Sequence, residues 1–159
     1  MTDPLPMPKR PGPVGRWFLR APAWLYRAHL GRLLGGRFLM LRHAGRRTGA
    51  TYDTVLEVIG HRDDELFVIS GFGPGSSWVR NIRAAPPVLV VSGTRRFVPS
   101  ARFLETEEAR ALLVHYAARN PKAARMLGNR LYGGAFDASR LAAATVVVGL
   151  SPREDAPAS

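Results

Sequence analysis

The sequence contains no cysteine, and that absence alone removes disulfides, thiolate metal sites and cysteine nucleophiles. Its four histidines, His29, His43, His61 and His115, are scattered without metal-ligand spacing, so no metal site is expected. No G-x-S-x-G, Walker or G-x-G-x-x-G sequence follows a strand and opens a helix, which excludes those hydrolase and nucleotide-binding motifs. Long hydrophobic runs are missing too. The longest arginine-poor apolar stretch, residues 141–150, is about half of the roughly 20 residues that a spanning helix needs. Prolines at 4, 6, 8, 11 and 13 break up the start, and no apolar h-region follows them, so no secretory signal is read. The expected location is the cytoplasm.

Acidic residues are scarce where basic ones are dense. Residues 1–50 hold ten basic side chains against one acid, Asp3, a balance of +9; residues 51–159 hold thirteen against eleven, a balance of +2. The total of +11 is therefore concentrated in the N-terminal third, and an anionic partner follows: nucleic acid, a membrane surface or a phosphorylated cofactor. With 159 residues, 46% of them apolar, the chain has the length and mixture of one domain with a sizeable core.

Residues 1–13 read as a flexible, proline-rich tail. In 14–34, Trp17, Phe18, Ala21, Trp24, Leu25 and Ala28 follow helical spacing, with Arg16, Arg20 and Arg27 opposite. Two readings fit this amphipathic segment: a helix docked on its own core, or a surface helix touching membrane lipid. The second would make the protein peripheral at the inner face of the membrane. After Gly36 the period changes to two. Strands are expected at 37–42, 53–59 and 65–70, with a hairpin loop at 60–64. A glycine-rich loop at 71–75 leads to a short helix that Ser76 or Ser77 caps and Pro86-Pro87 stops. Strands at 88–92 and 95–103 form a further hairpin. Helices from Thr106 to about Arg119 and from Asn120-Pro121 to about Leu127 precede a last strand at 142–150, and 151–159 reads as a second flexible tail. Six strands joined mostly as hairpins are not a βαβ series. The expected fold is α+β, mainly β: an antiparallel sheet at 37–150 closing into a small barrel, with an N-terminal helix and outer helices.

Two segments carry chemistry. The turn Gly45-Arg46-Arg47-Thr48-Gly49 sets two guanidiniums and a hydroxyl on a tight bend whose glycines let backbone amides approach an oxyanion. The loop from Ser70 to Trp78 holds three glycines and three serines and opens a helix, so Ser76 and Ser77 stand where an anion is favoured. Taken singly, each is equally readable as a structural loop.

Their order and spacing together resemble the deazaflavin-dependent nitroreductase family, the F420-dependent split β-barrel oxidoreductases. The resemblance runs from about 38 to 150 and rests on GRRTG at 45–49, DTVLEV at 53–58, VISGFG at 68–73 and WVRNIRAAPPVLVVSGTRRF at 78–97. The last stretch is similar to the family's W-x-x-N-L-x-A-N-P-x-V-x-V segment. The resemblance implies an FMN-binding-like split barrel, F420 as cofactor with FMN as the alternative, and hydride transfer between reduced F420 and a quinone, nitroaromatic or activated enone. It assigns Arg46, Arg47 and Thr48 to the phosphate and oligoglutamate tail. Thr54 and Val55 fall against the deazaflavin, Val68, Ser70 and Gly71 at the strand end near the ring, and Trp78 and Asn81 on the helix closing the phosphate side. Gly71-Phe72 stands where family members often carry a lysine, and Glu57 where some have an aromatic residue. A proton donor is expected among Ser70, Tyr116 and Tyr132. The competing class is a non-catalytic split-barrel binder of flavin, haem or lipid. No nucleic acid is expected, because Trp17, Phe18 and Trp24 fit a helix's apolar face better than a base-stacking groove.

Overall fold

Residues 36–154 are described by the computed structural model; the segment at 1–35, including the expected amphipathic helix, and the end of the tail from 155 lie outside the described residues. The described chain runs β1 (Phe38–Ala44), β2 (Thr51–Arg62), β3 (Glu65–Ser70), a 3₁₀ turn (Gly73–Gly75), α1 (Ser77–Ala84), β4 (Leu89–Ser92), β5 (Arg95–Phe97), β6 (Pro99–Phe103), α2 (Thr106–Arg119), α3 (Pro121–Tyr132), α4 (Ala138–Ala144) and β7 (Val146–Pro152). All strand pairs are antiparallel, in the order β5-β4-β1-β2-β3-β7-β6. The two ends of that order, β5 and β6, are separated in sequence by Val98 alone. The sheet therefore nearly closes into a barrel through its own chain.

Alternation decides which side each residue faces. Leu39 and Leu41 of β1, Leu56 of β2, Leu66 and Val68 of β3, Val90 of β4, and Val148 and Leu150 of β7 fill the barrel. Trp78, Val79 and Ile82 of α1 join this cluster and plug one end. The intervening residues Ile59, Phe67, Ile69 and Val147 point outward and pack under α2, α3 and α4 with Leu113, Tyr116, Leu127, Leu131 and Leu141. β3 is thus buried on both faces, which is why its centre, Leu66-Phe67-Val68-Ile69, is an unbroken apolar run.

Several boundaries differ from the sequence expectation. The strand expected at 95–103 is two strands on opposite edges of the sheet. Val98 turns the corner, its carbonyl accepting the Arg153 amide at 2.9 Å, and Pro99, lacking an N–H, opens β6. The count is accordingly seven strands, not six. The loop expected at 60–64 shrinks to Asp63-Asp64, because Asp63 adopts a left-handed φ of 50° that aspartate tolerates. α3 runs on to Tyr132, where Gly133 at φ 65° ends it. α4 was not expected. Its first turn is capped by the Asp137 carboxylate, which accepts the Arg140 amide at 2.9 Å, and its Ala-rich sequence blends into the apolar run before β7. β7 starts four residues later than read and continues to Pro152.

Candidate functional site

One rim of the barrel is built from the turn after β1, the start of β2 and the N-terminal half of α1. The turn is closed by the Gly49 amide on the Gly45 carbonyl at 2.8 Å and the Gly45 amide on the Ala50 carbonyl at 2.7 Å. Gly49 sits at φ 70°, and a side chain on Gly45 would come within 2.7 Å of the Tyr52 ring. The backbone therefore requires glycine at 49, while at 45 it is the exposed Tyr52 ring that packs against the bare Cα. The Thr48 hydroxyl accepts the Ala50 amide at 3.2 Å.

Between this turn and α1 lies a cleft of about 460 Å³ lined by His43, Gly45, Arg46, Arg47, Thr48, Tyr52, Asp53, Thr54, Ser77, Trp78 and Asn81. Seven residues singled out from the sequence meet here: Arg46, Arg47, Thr48, Thr54, Ser77, Trp78 and Asn81. Asn81 is buried and ties the walls together. Its carbonyl oxygen accepts the Arg46 amide at 3.2 Å and the Arg46 guanidinium at 3.1 Å, while its Nδ2 lies 3.1 Å from His43 Nδ1. His43 Nε2 in turn lies 3.0 Å from Thr54 Oγ1.

The charges of this rim are unbalanced. The one carboxylate in the cleft, Asp53, is buried and held bidentately by Arg42, at 2.8 Å and 3.0 Å, which raises the Arg42 pKa. Among the described residues no carboxylate pairs with Arg46 or Arg47. Burial pushes the His43 imidazole below its ordinary 6.5, against the weaker upward pull of Asp53. Two guanidiniums, the hydroxyls of Thr48, Thr54 and Ser77, and the first amides of α1, which the Ser76 side chain does not cap, give a set of donors suited to an anion. Donor chemistry of this kind fits a phosphorylated, polyanionic cofactor.

The other expected residues sit elsewhere. Val68 is sealed in the barrel core. Val55 pairs with Met40 in the sheet, outside the cleft lining. The buried Ser70 hydroxyl donates to the Gly73 carbonyl at 3.0 Å, pinning the loop that follows β3. Gly71 packs against Leu131, which a Cβ there would strike at 2.5 Å. Ser76 occupies the N-cap position of α1, but its side chain makes no capping bond. Tyr116 is buried under the helices and donates to Glu57 Oε1 at 3.0 Å, with the Arg37 guanidinium 3.6 Å from the same carboxylate. Burial, then the Glu57 charge and hydrogen bond, push the Tyr116 phenol upward. Tyr132, also raised by burial, lies beside Arg140 at 5.0 Å. His43 and Asp53 were missed. Alternation along β1 offered a signal for the first, since Leu39, Leu41 and His43 share the inward face.

The model of the F420H(2)-dependent quinone reductase family matches residues 17–128. Among solved structures, a pyridoxamine 5′-phosphate oxidase-related, FMN-binding protein of Nostoc punctiforme is similar at 17% identity and a TM-score of 0.51, over 84% of this chain and 80% of its own. An F420-H2 dependent reductase, FDR-A, is similar at 18% identity and a TM-score of 0.49, over 71% of this chain and 93% of its own. The first likeness identifies the split barrel. None of the curated proteins matches the sequence.

Proposed function

The chain belongs to the F420H(2)-dependent quinone reductase family and is an F420-dependent oxidoreductase, and on that premise we propose that the rim cleft takes the anionic portion of F420 and that the acceptor is a quinone-type electrophile. The observation that supports this most is the pair of guanidiniums, Arg46 and Arg47, with no carboxylate partner among the described residues, at a cleft whose own acid is paired with Arg42. Arg46, Arg47 and Thr48 would hold the phosphate and glutamate groups, with Ser77 and Trp78 on the facing wall. When bound, the reduced cofactor supplies a hydride to the acceptor, and a proton completes the two-electron reduction.

The chain's part is to bind, orient and protonate. Of the three expected hydroxyls, we assign the proton to Tyr116. Both hydroxyls are engaged as donors, Ser70 to the Gly73 carbonyl and Tyr116 to Glu57, but Glu57, 22% exposed, gives Tyr116 a path to solvent. A raised phenol stays protonated throughout the neutral range, as a donor must. Tyr116→Phe should lower turnover about a hundredfold with little change in cofactor affinity, the scale of lost general acid catalysis. Loss of less than threefold would move the proton source to solvent.

The cofactor reading is tested by titrating the full chain with F420, FMN and FAD and following tryptophan fluorescence. Micromolar F420 binding with weaker FMN binding is the expected result. Tight FMN binding without F420 binding would keep the fold and replace the cofactor. Quinones with prenyl tails reside in the bilayer, so we also assign residues 14–34, with Trp17, Phe18 and Trp24, to the membrane surface. Among the described residues no helix is long and apolar enough to cross a membrane. The full chain should co-sediment with anionic vesicles, and Trp17→Ser/Trp24→Ser should stay in the supernatant; equal partitioning would remove this assignment.

A further inference from the structure

We infer that His43, as a neutral imidazole carrying its proton on Nε2, is the positioning residue for the anion end of the cleft: it holds Asn81 turned toward Arg46 and leaves the Thr54 hydroxyl proton for an acceptor in the cleft. The inference rests on the proposed location of F420. Its logic is a chain of forced donor and acceptor roles. The Arg46 backbone amide and guanidinium only donate, so the Asn81 atom they meet, at 3.2 Å and 3.1 Å, is the carbonyl oxygen. Asn81 Nδ2 then faces His43 Nδ1 at 3.1 Å and donates to it, which leaves that nitrogen without a proton. The ring proton is on Nε2, 3.0 Å from Thr54 Oγ1, and donates there. Thr54 has accepted this bond and keeps its own proton to give. Thr54 lines the cleft, and among the described residues its hydroxyl has no other partner.

This arrangement works with one protonation state. A second proton on His43 would set an N–H against the Asn81 amide. Turning that amide over would then present its NH₂ to the two Arg46 donors, costing both bonds and releasing the guanidinium. Of the groups facing His43, Asp53 favours the charged form, but more weakly than burial opposes it. From β2 come Tyr52, stacked at 6.1 Å, and Asp53, whose charge is taken up by Arg42 of β1 itself. The turn contributes the cation Arg46 by way of Asn81, and α1 contributes the uncharged Asn81. Burial prevails, displacing the imidazole below 6.5. Neutral His43 is thus the binding form, and affinity is present above the folded-state pKa and lost as pH falls through it.

The test is F420 affinity of the full chain between about pH 7.5 and 5.5, where histidine titrates and the phosphodiester does not, for wild type, His43→Leu and His43→Gln. Imidazole ¹⁵N resonances of the unliganded wild type provide a second readout. Wild type should weaken about two- to fivefold by pH 5.5, less than a full decade because burial holds the imidazole below 6.5. His43→Leu should bind weakly at every pH. His43→Gln can accept from Asn81 and donate to Thr54, so it should recover affinity without the pH step. The ¹⁵N spectrum should show a bare Nδ1 and a protonated Nε2. His43→Leu binding like wild type, a pH step surviving in His43→Gln, or a proton on Nδ1 would each overturn the inference while leaving F420 binding in place. Should His43→Leu fail to fold, the His43→Gln profile and the tautomer decide. Failure of wild type to bind F420 at any pH overturns the cofactor assignment and this inference with it.

Discussion

Arg46→Ala/Arg47→Ala is expected to weaken F420 binding about a hundredfold, close to 3 kcal/mol in total, from lost charge-assisted contacts. The two residues should not contribute equally. Arg46 is held by Asn81, so its guanidinium is already placed and loses little freedom when a ligand arrives. Arg47 has no such support among the described residues and acts more as a mobile charge. Arg46→Ala alone should therefore account for most of the loss, whereas Arg47→Ala should mainly reduce the salt dependence of binding. FMN, with one phosphate, should respond less than F420. The same fluorescence titration at two salt concentrations checks all three statements. Wild-type affinity in the double variant would place the anionic part of the cofactor elsewhere on the protein.

That prediction starts from a turn that was legible in the sequence, and the reason is local. Glycine brackets and adjacent arginines define both the bend and its charge within five residues, so no long-range information is needed. The barrel was legible for a related reason: alternating strands joined by short hairpins leave few topologies open. What escaped depended on contacts distant in sequence. Val98 carries no sign of a corner, because closure is enforced by the Arg153 amide more than fifty residues away. His43 looks like any lone histidine until α1 brings Asn81, thirty-eight positions on, against it. Asp53 looked like a strand residue because its partner, Arg42, is set by the β1–β2 register, which pairs those two positions directly. Ser70 stands at the strand end where it was expected, yet its hydroxyl is turned to the Gly73 carbonyl, a direction that loop geometry alone determines.

Gly128→Ala should lower Tm by roughly 5 °C, a net loss of about 2 kcal/mol. Two effects oppose each other at this position. In the interior of α3, alanine is preferred over glycine by about 1 kcal/mol, which would stabilise the helix. Against that, a Cβ on Gly128 would lie 2.8 Å from the Phe136 amide nitrogen, 2.9 Å from the Gly134 carbonyl oxygen and 2.9 Å from Phe136 Cα. All three are backbone atoms, so no rotamer change relieves them. The segment they belong to is pinned at both ends, by left-handed Gly133 and by Asp137 capping α4. Forcing it outward costs packing between α3 and α4, and overpacking of this kind is worth about 3 kcal/mol, more than the helix gain. The effect should reach the site side as well, because Leu131, one turn along, is the residue on which Gly71 rests after β3. Gly134→Ala is the control: it has open space around it and no left-handed φ, so it should leave Tm within about 1 °C of wild type. Thermal unfolding of the two variants separates the causes. If Gly128→Ala matched or exceeded wild type, the 133–137 segment would have to yield freely, and α4 would be a loosely held layer rather than a fixed wall of the outer core.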